Sequence, residues 1–214
     1  METSRLLAVD PSLTCTGWAL FCVERGHLLG VGSLKALPPS VTMPERLAEL
    51  QGRINKVYES LKLGSKDIVF CEAPTTMKDP RAAITVEQVR SIFETIARAR
   101  GVVVPGRINP RSVHNLVMGL RGKQLPRAQI KEMAVSLVAT LYTKPLQALG
   151  FDVSKESLKK NQDIVDALLL GNLGLTWIRE ARACAQPLVH YVADRTPTRS
   201  QTRWQAAIKR GAGA

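Results

Sequence analysis

Three apolar runs follow one another within the first 33 residues, too close together for a helix to intervene, and only then does a helical pattern begin. Leu6–Val9 ends at Asp10-Pro11; Gly17–Val23 and Leu28–Ser33 are separated by a turn that contains Gly26. Runs of this length and spacing pair as an antiparallel meander. From Met43 to Leu61 the residues Leu47, Leu50, Ile54, Val57 and Leu61 recur at spacings of three and four, which predicts an amphipathic helix. Thr42, Pro44 and Glu45 form a capping box at its start, and Gly64 is its expected stop. Asp67–Cys71 reads as a fourth strand. A helix over 81–100 should carry Ile84, Val89, Ile92, Ile96 and Ala99 inward, and Val102–Val104 reads as a buried fifth strand. Helices near 110–118, 127–142 and 161–182 complete the order βββαβαβααα. This predicts an α/β fold with a mixed sheet, three antiparallel strands then two parallel, flanked by helices. Residues 1–186 are expected to form one domain. Residues 187–214, rich in Pro, Thr, Ser and Arg, are expected to form a basic flexible tail.

The charge narrows the partner. The chain has 214 residues and a net charge of +12, from 30 Lys and Arg against 18 Asp and Glu. Such a chain attracts polyanions. The excess is concentrated: Thr95–Lys131 holds Arg98, Arg100, Arg107, Arg111, Arg121, Lys123, Arg127 and Lys131 with no acid, and Arg195–Ala214 holds five more basic residues, again with no acid. No apolar run reaches the roughly 18–20 residues of a membrane span, and no signal peptide is visible, so no membrane partner is expected. Cys15, Cys22, Cys71 and Cys184 form no CxxC pair, which suggests free thiols and a reducing, cytoplasmic setting rather than a secreted one.

Four acids stand out by position. Asp10 follows the first strand and Glu72 the fourth, while Asp163 and Asp166 lie three apart on one helix and so share a face. If the first and fourth strands are neighbours, Asp10 and Glu72 meet at one end of the sheet. A cluster of carboxylates repels itself, and divalent cations remove that difficulty. All-oxygen ligands suit Mg²⁺ or Mn²⁺, and two such ions roughly 4 Å apart can support phosphodiester hydrolysis with no covalent nucleophile. Taken singly, each acid also has a structural reading: Asp10 as a turn initiator, Glu72 as a strand-end charge, Asp163 as a helix cap. Asp166 is flanked by Ile164, Val165, Ala167 and Leu168, where an unpaired carboxylate is expensive.

At these residues the sequence resembles the RuvC family of Holliday-junction resolvases, nucleases of the RNase H-like fold. Leu6–Trp18 is similar to the family's apolar strand, Asp-Pro-Gly or Asp-Pro-Ser, then Thr-Gly-aromatic. Ile68–Glu72 matches the strand ending in the second acid, and Asp163–Leu168 the closing Asp-x-x-Asp-Ala-Leu. Val113–Gly119, Gly122 and Arg127–Ile130 resemble the Gly-rich turn followed by Lys-x-Gln-Val. The likeness spans about residues 5–180. It departs at Thr75, where many members carry an aromatic, at Arg127, where bacterial members tend to have lysine, and at Ser12. The departures look closer to phage-encoded members.

The resemblance implies a homodimer that binds four-way DNA junctions and nicks two opposing strands. It implies two Mg²⁺ ions, or Mn²⁺ as substitute, held by Asp10, Glu72, Asp163 and Asp166, with no small-molecule cofactor. The setting it implies is the cytoplasm of a bacterium or a phage-infected host. Arg107, Arg111, His114, Arg121, Lys123, Arg127 and Lys131 are the expected DNA contacts. Arg111 and His114 lie near a helix start, where backbone N–H groups favour phosphate. The competing readings are another RNase H-like nuclease, acting on flaps, branched replication intermediates or RNA–DNA hybrids, and an ATPase of the sugar-kinase/actin type, for which 214 residues leave little room.

Overall fold

A computed structural model describes residues 4–74, 80–122 and 125–195. The strands β1 (Arg5–Asp10), β2 (Cys15–Cys22), β3 (Leu28–Lys35), β4 (Ile68–Glu72) and β5 (Arg107–Ile108) form one sheet in the order β3-β2-β1-β4-β5. β1 pairs antiparallel with β2 and parallel with β4, β2 pairs antiparallel with β3, and β4 pairs parallel with β5. The expected sheet of three antiparallel strands followed by parallel ones is the one observed.

β1 is central and buried on both faces, which is why it reads as an unbroken apolar run rather than an alternating one. Leu6 and Ala8 enter one core and Leu7 and Val9 the other. The second of these cores lies under the helices α1 (Met43–Ser60) and α2 (Pro80–Ala99). The first lies under α6 (Gln162–Ala183), with α3 (Pro110–Leu116), α4 (Arg127–Ala148), α5 (Lys155–Lys160) and α7 (Leu188–Arg195) packed around it. α6 is apolar almost all round, as a helix enclosed between a sheet and other helices must be. Its glycines allow close approach. A Cβ on Gly171 would meet the Phe21 ring at 2.1 Å, and one on Gly174 would meet Leu6 and Phe70 at 3.0 Å.

Several local expectations are corrected. The fifth strand is Arg107–Ile108, and Val102–Val104 contributes only a bridge from Val103 to Ile68. Between them, Pro105 has no N–H for a ladder and Gly106 has a φ of 150°. On α2, Ile84 is 61% exposed and Ala99 also faces solvent; the buried stripe is Val89, Phe93, Ile96 and Ala97. Gly64 does not stop α1. Lys62 takes the left-handed position (φ 48°), with Lys62 N–H donating to Glu59 and Leu63 N–H to Tyr58. Arg5 holds that turn by donating to the carbonyls of Leu61 (2.6 Å) and Lys62 (2.7 Å), while pairing with buried Asp67. The Glu45 half of the capping box is present: its carboxylate accepts from the Thr42 hydroxyl (2.7 Å) and N–H (3.3 Å). Residues 188–195, assigned to the tail, form α7, whose Tyr191 and Val192 are buried. The remainder of the tail, 196–214, lies outside the described residues, as do Thr75 and Lys123. No helix among the described residues is long and apolar enough to cross a membrane.

Candidate active site

The site is assembled from three chain segments. β1 and β4 run parallel with Val9 opposite Cys71, so the next residues, Asp10 and Glu72, emerge side by side at one end of the sheet. The first turn of α6 arrives over the same end. Its approach depends on Gly17, the register partner of Asp10 on β2: a Cβ there would lie 2.0 Å from the Asp163 carbonyl oxygen and 2.7 Å from the Ile164 nitrogen. Gly17 therefore admits the helix start that carries Asp163 and, one turn on, Asp166.

All four acids are half-buried. Burial first, then the negative charges of Glu72, Asp166 and Asp163, hold the Asp10 carboxyl well above the usual carboxylate range. Glu72 is raised by burial and by Asp166, against a hydrogen bond from Asp10 and the charge of Arg90. Asp166 is raised by burial and by Asp163; it is opposed by a hydrogen bond from Gln162 Nε2 (3.1 Å) and by Lys131 and Arg127. The four acids predicted from sequence thus sense one another across a single site. Among the described residues no three of them converge tightly enough to enclose an ion as they stand.

The donor set nevertheless fits a hard divalent cation. It is made of carboxylate oxygens only, and burial and mutual repulsion raise the pKa of three of its members, an unfavourable clustering that a cation relieves. The nearby Arg127 and Lys131, exposed on the first turns of α4, oppose the upward shift of Asp166 from the solvent side.

The basic residues divide. Arg111, Arg121, Arg127 and Lys131 are exposed. Arg107 is committed elsewhere: its guanidinium pairs with Glu94 (2.6 Å) and Glu87 (2.8 Å). Burial lowers the pKa of His114, so at neutral pH it brings hydrogen-bonding capacity rather than charge. The Arg111 N–H at the start of α3 is already taken by Asn109 Oδ1 (2.8 Å), so one donor of that helix start is not free for phosphate.

Sequence reasoning missed three residues around the acids. Gln162 precedes Asp163 directly and its spacing of four from Asp166 signals the contact. Cys15 lies against Asp163, and burial together with that neighbour pushes its thiol pKa up. Arg90 donates to the Glu72 carbonyl from α2, and nothing in the local sequence marks it.

No family model matches the chain. The crossover junction endodeoxyribonuclease RuvC of Sphingopyxis alaskensis is 26% identical over 121 residues, which cover 55% of this chain and 73% of that protein. The RuvC structure of Thermus thermophilus superposes with a TM-score of 0.60 at 18% identity, covering 83% of this chain and 96% of that one. The same protein in complex with a Holliday junction substrate gives 0.58 at 17% identity, with the same coverage. The chain is thus similar to RuvC in sequence, and its mixed five-stranded sheet with flanking helices shares the RNase H-like fold of the RuvC structures.

Proposed function

We propose that the chain is a structure-selective DNA endonuclease that resolves four-way junctions as a homodimer, by metal-dependent nicking of two opposing strands. The observation that carries this reading is the convergence of Asp10, Glu72 and Asp166, each raised in pKa by burial and by a neighbouring acid, at the open end of the sheet beside the exposed cations of α4. The likeness to RuvC, one of whose structures holds a Holliday junction, supports the substrate class.

Asp10, Glu72, Asp163 and Asp166 would hold the divalent ions, and Mg²⁺ or Mn²⁺, two per site, supplies an activated water and charge stabilisation at the leaving oxygen. Gln162 orients Asp166 through its amide. Arg127 and Lys131 bind the phosphate that flanks the cut and offset the charge of the acids from the solvent side. Arg111 and Arg121 extend the phosphate-binding surface along α3 and the turn after it. Residues 1–195 then constitute the nuclease domain and the basic segment 196–214 adds sequence-independent affinity.

Labelled four-way junction, duplex, flap and RNA–DNA hybrid substrates, incubated with Mg²⁺ and mapped for nicks, test the reading. Paired nicks on opposing strands of the junction are expected. Cutting confined to the linear hybrid would overturn it in favour of a ribonuclease, and ATP binding without nicking in favour of an ATPase. The DNA surface has its own test. Replacing Arg111, Arg121 and Lys131 by Ala should flatten the dependence of log affinity on log salt by about 0.9 for each phosphate that is no longer neutralised. An unchanged slope would place the DNA elsewhere on the protein.

A further inference from the structure

Arg90 is the one fully buried cation among the described residues, with 1% of its surface exposed, on the apolar stripe of α2 beside Val89 and Phe93. Burying a guanidinium is costly unless its donors are used. Its Nε donates to the backbone carbonyl of Glu72 at 2.5 Å, and its Nη1 pairs with Glu87. Glu87 in turn binds Arg107 of β5 (2.8 Å), Arg107 binds buried Glu94 (2.6 Å), and Glu94 reaches Arg98.

This chain of charges surrounds the end of β4. The pairing of β1 with β4 stops at Val9 and Cys71, so the Glu72 peptide lies beyond that ladder. On its other side it is held by β5, where Glu72 stands opposite Ile108 and the Ala73 N–H donates to the Ile108 carbonyl at 2.8 Å. Arg90 takes the Glu72 carbonyl, and the backbone that carries the carboxylate is thereby pinned from two elements. The Glu72 side chain has only two methylene groups between that backbone and its oxygens, so a displaced peptide displaces the ligand.

We infer that Arg90 is a positioning residue for Glu72, fixed in its turn by Glu87, and that this pair sets how tightly the carboxylate site holds a divalent cation. At 1% exposure, Arg90 acts through the Glu72 backbone rather than directly on DNA or ion. The inference rests on the carboxylate-site reading above and deepens it.

The test is Mn²⁺ binding to the full chain without DNA, followed by electron paramagnetic resonance, with thermal unfolding in EDTA as the check on folding. Arg90→Met should raise the half-saturating Mn²⁺ concentration by roughly 10–100-fold, the usual effect of removing a group that orients a ligand. Arg90→Lys, which keeps a donor for the Glu72 carbonyl, should recover part of that affinity. Glu87→Gln changes a partly exposed side chain, and should weaken Mn²⁺ less than Arg90→Met does. Junction affinity measured without metal should be unchanged in all three. A folded Arg90→Met with wild-type Mn²⁺ affinity overturns the proposal; if that variant does not fold, wild-type affinity in Glu87→Gln overturns it. Asp10→Asn separates the two levels. If Mn²⁺ binding is abolished in Asp10→Asn but untouched by the Arg90 and Glu87 changes, only the positioning role fails; if Asp10→Asn also leaves it untouched, the carboxylate site itself fails.

Discussion

Asp10→Asn is expected to abolish nicking and, in the absence of divalent ions, to make the protein more stable than wild type. The two effects share a cause. In the folded chain, burial and the charges of Glu72, Asp166 and Asp163 hold the Asp10 carboxyl well above its ordinary pKa. The folded state therefore binds this proton more tightly than the unfolded state. Stability then falls as pH rises from the ordinary carboxylate pKa of about 3.9 through the raised folded value, and the full penalty is present above it. Asparagine does not titrate, so the gain should be largest at neutral to alkaline pH and vanish below about pH 4.

The same substitution removes an ion ligand. Charge stabilisation by a bound metal is worth several kcal/mol, so the nicking rate should drop on the order of a thousandfold or more. Divalent ions should also raise the Tm of the wild type alone. At an ion concentration of about 100 Kd the stabilisation is ~2.7 kcal/mol, or roughly 5–10 °C for a chain of this size. Melting curves at pH 5 and pH 8, with EDTA and with Mg²⁺, check all of this. A lower Tm for Asp10→Asn in EDTA at pH 8, or nicking that survives, would show that Asp10 is not part of a repelling carboxylate cluster.

Gly17→Ala should cost both stability and activity, although alanine suits a strand better than glycine does. The added methyl would stand 2.0 Å from the Asp163 carbonyl oxygen and 2.2 Å from its carbon. Both are backbone atoms of the first turn of α6, so no side-chain rotation relieves the clash and the helix start must move. Overpacking of this kind costs about 1–3 kcal/mol, equivalent to roughly 2–12 °C in Tm. Asp163 moves with the helix, so nicking should fall further than the drop in folded protein accounts for. Gly52→Ala is the contrasting case. It lies exposed within α1 with nothing within 4 Å of an added Cβ, and the change should stabilise by about 0.5–1 kcal/mol. Equal effects at the two positions would mean that α6 does not approach β2 as closely as described.

Three of the four carboxylates are legible in the sequence because each sits where a strong pattern stops or starts. Asp10 and Glu72 end apolar strands, and Asp163 opens the most apolar helix in the chain. What the sequence hid is mostly contact between distant segments. Arg107 lies in an acid-free stretch and reads as a free cation, but β5 returns it to Glu87 and Glu94 on α2, just before that stretch begins. Arg90 looks like the polar side of an amphipathic helix until the fold places Glu72 beside it. α5 and α7 are six and eight residues long, too short for a period of 3.6 to declare itself. Ile84 shows the opposite error: its spacing fits the apolar stripe, yet it stands near the start of α2, outside the buried core.

The position of α6 in the chain has a consequence for biosynthesis. Residues 5–72 supply four strands of the sheet and two of the acids, while the other two wait on a helix that begins at Gln162. A chain synthesised as far as residue 150 already contains the basic stretch up to Lys131 but only two of the four acids. On the proposed reading the chain gains affinity for nucleic acid before it gains the ability to cut it, and the close fit of Gly17 under Asp163 makes docking of that last long helix the event that arms the enzyme.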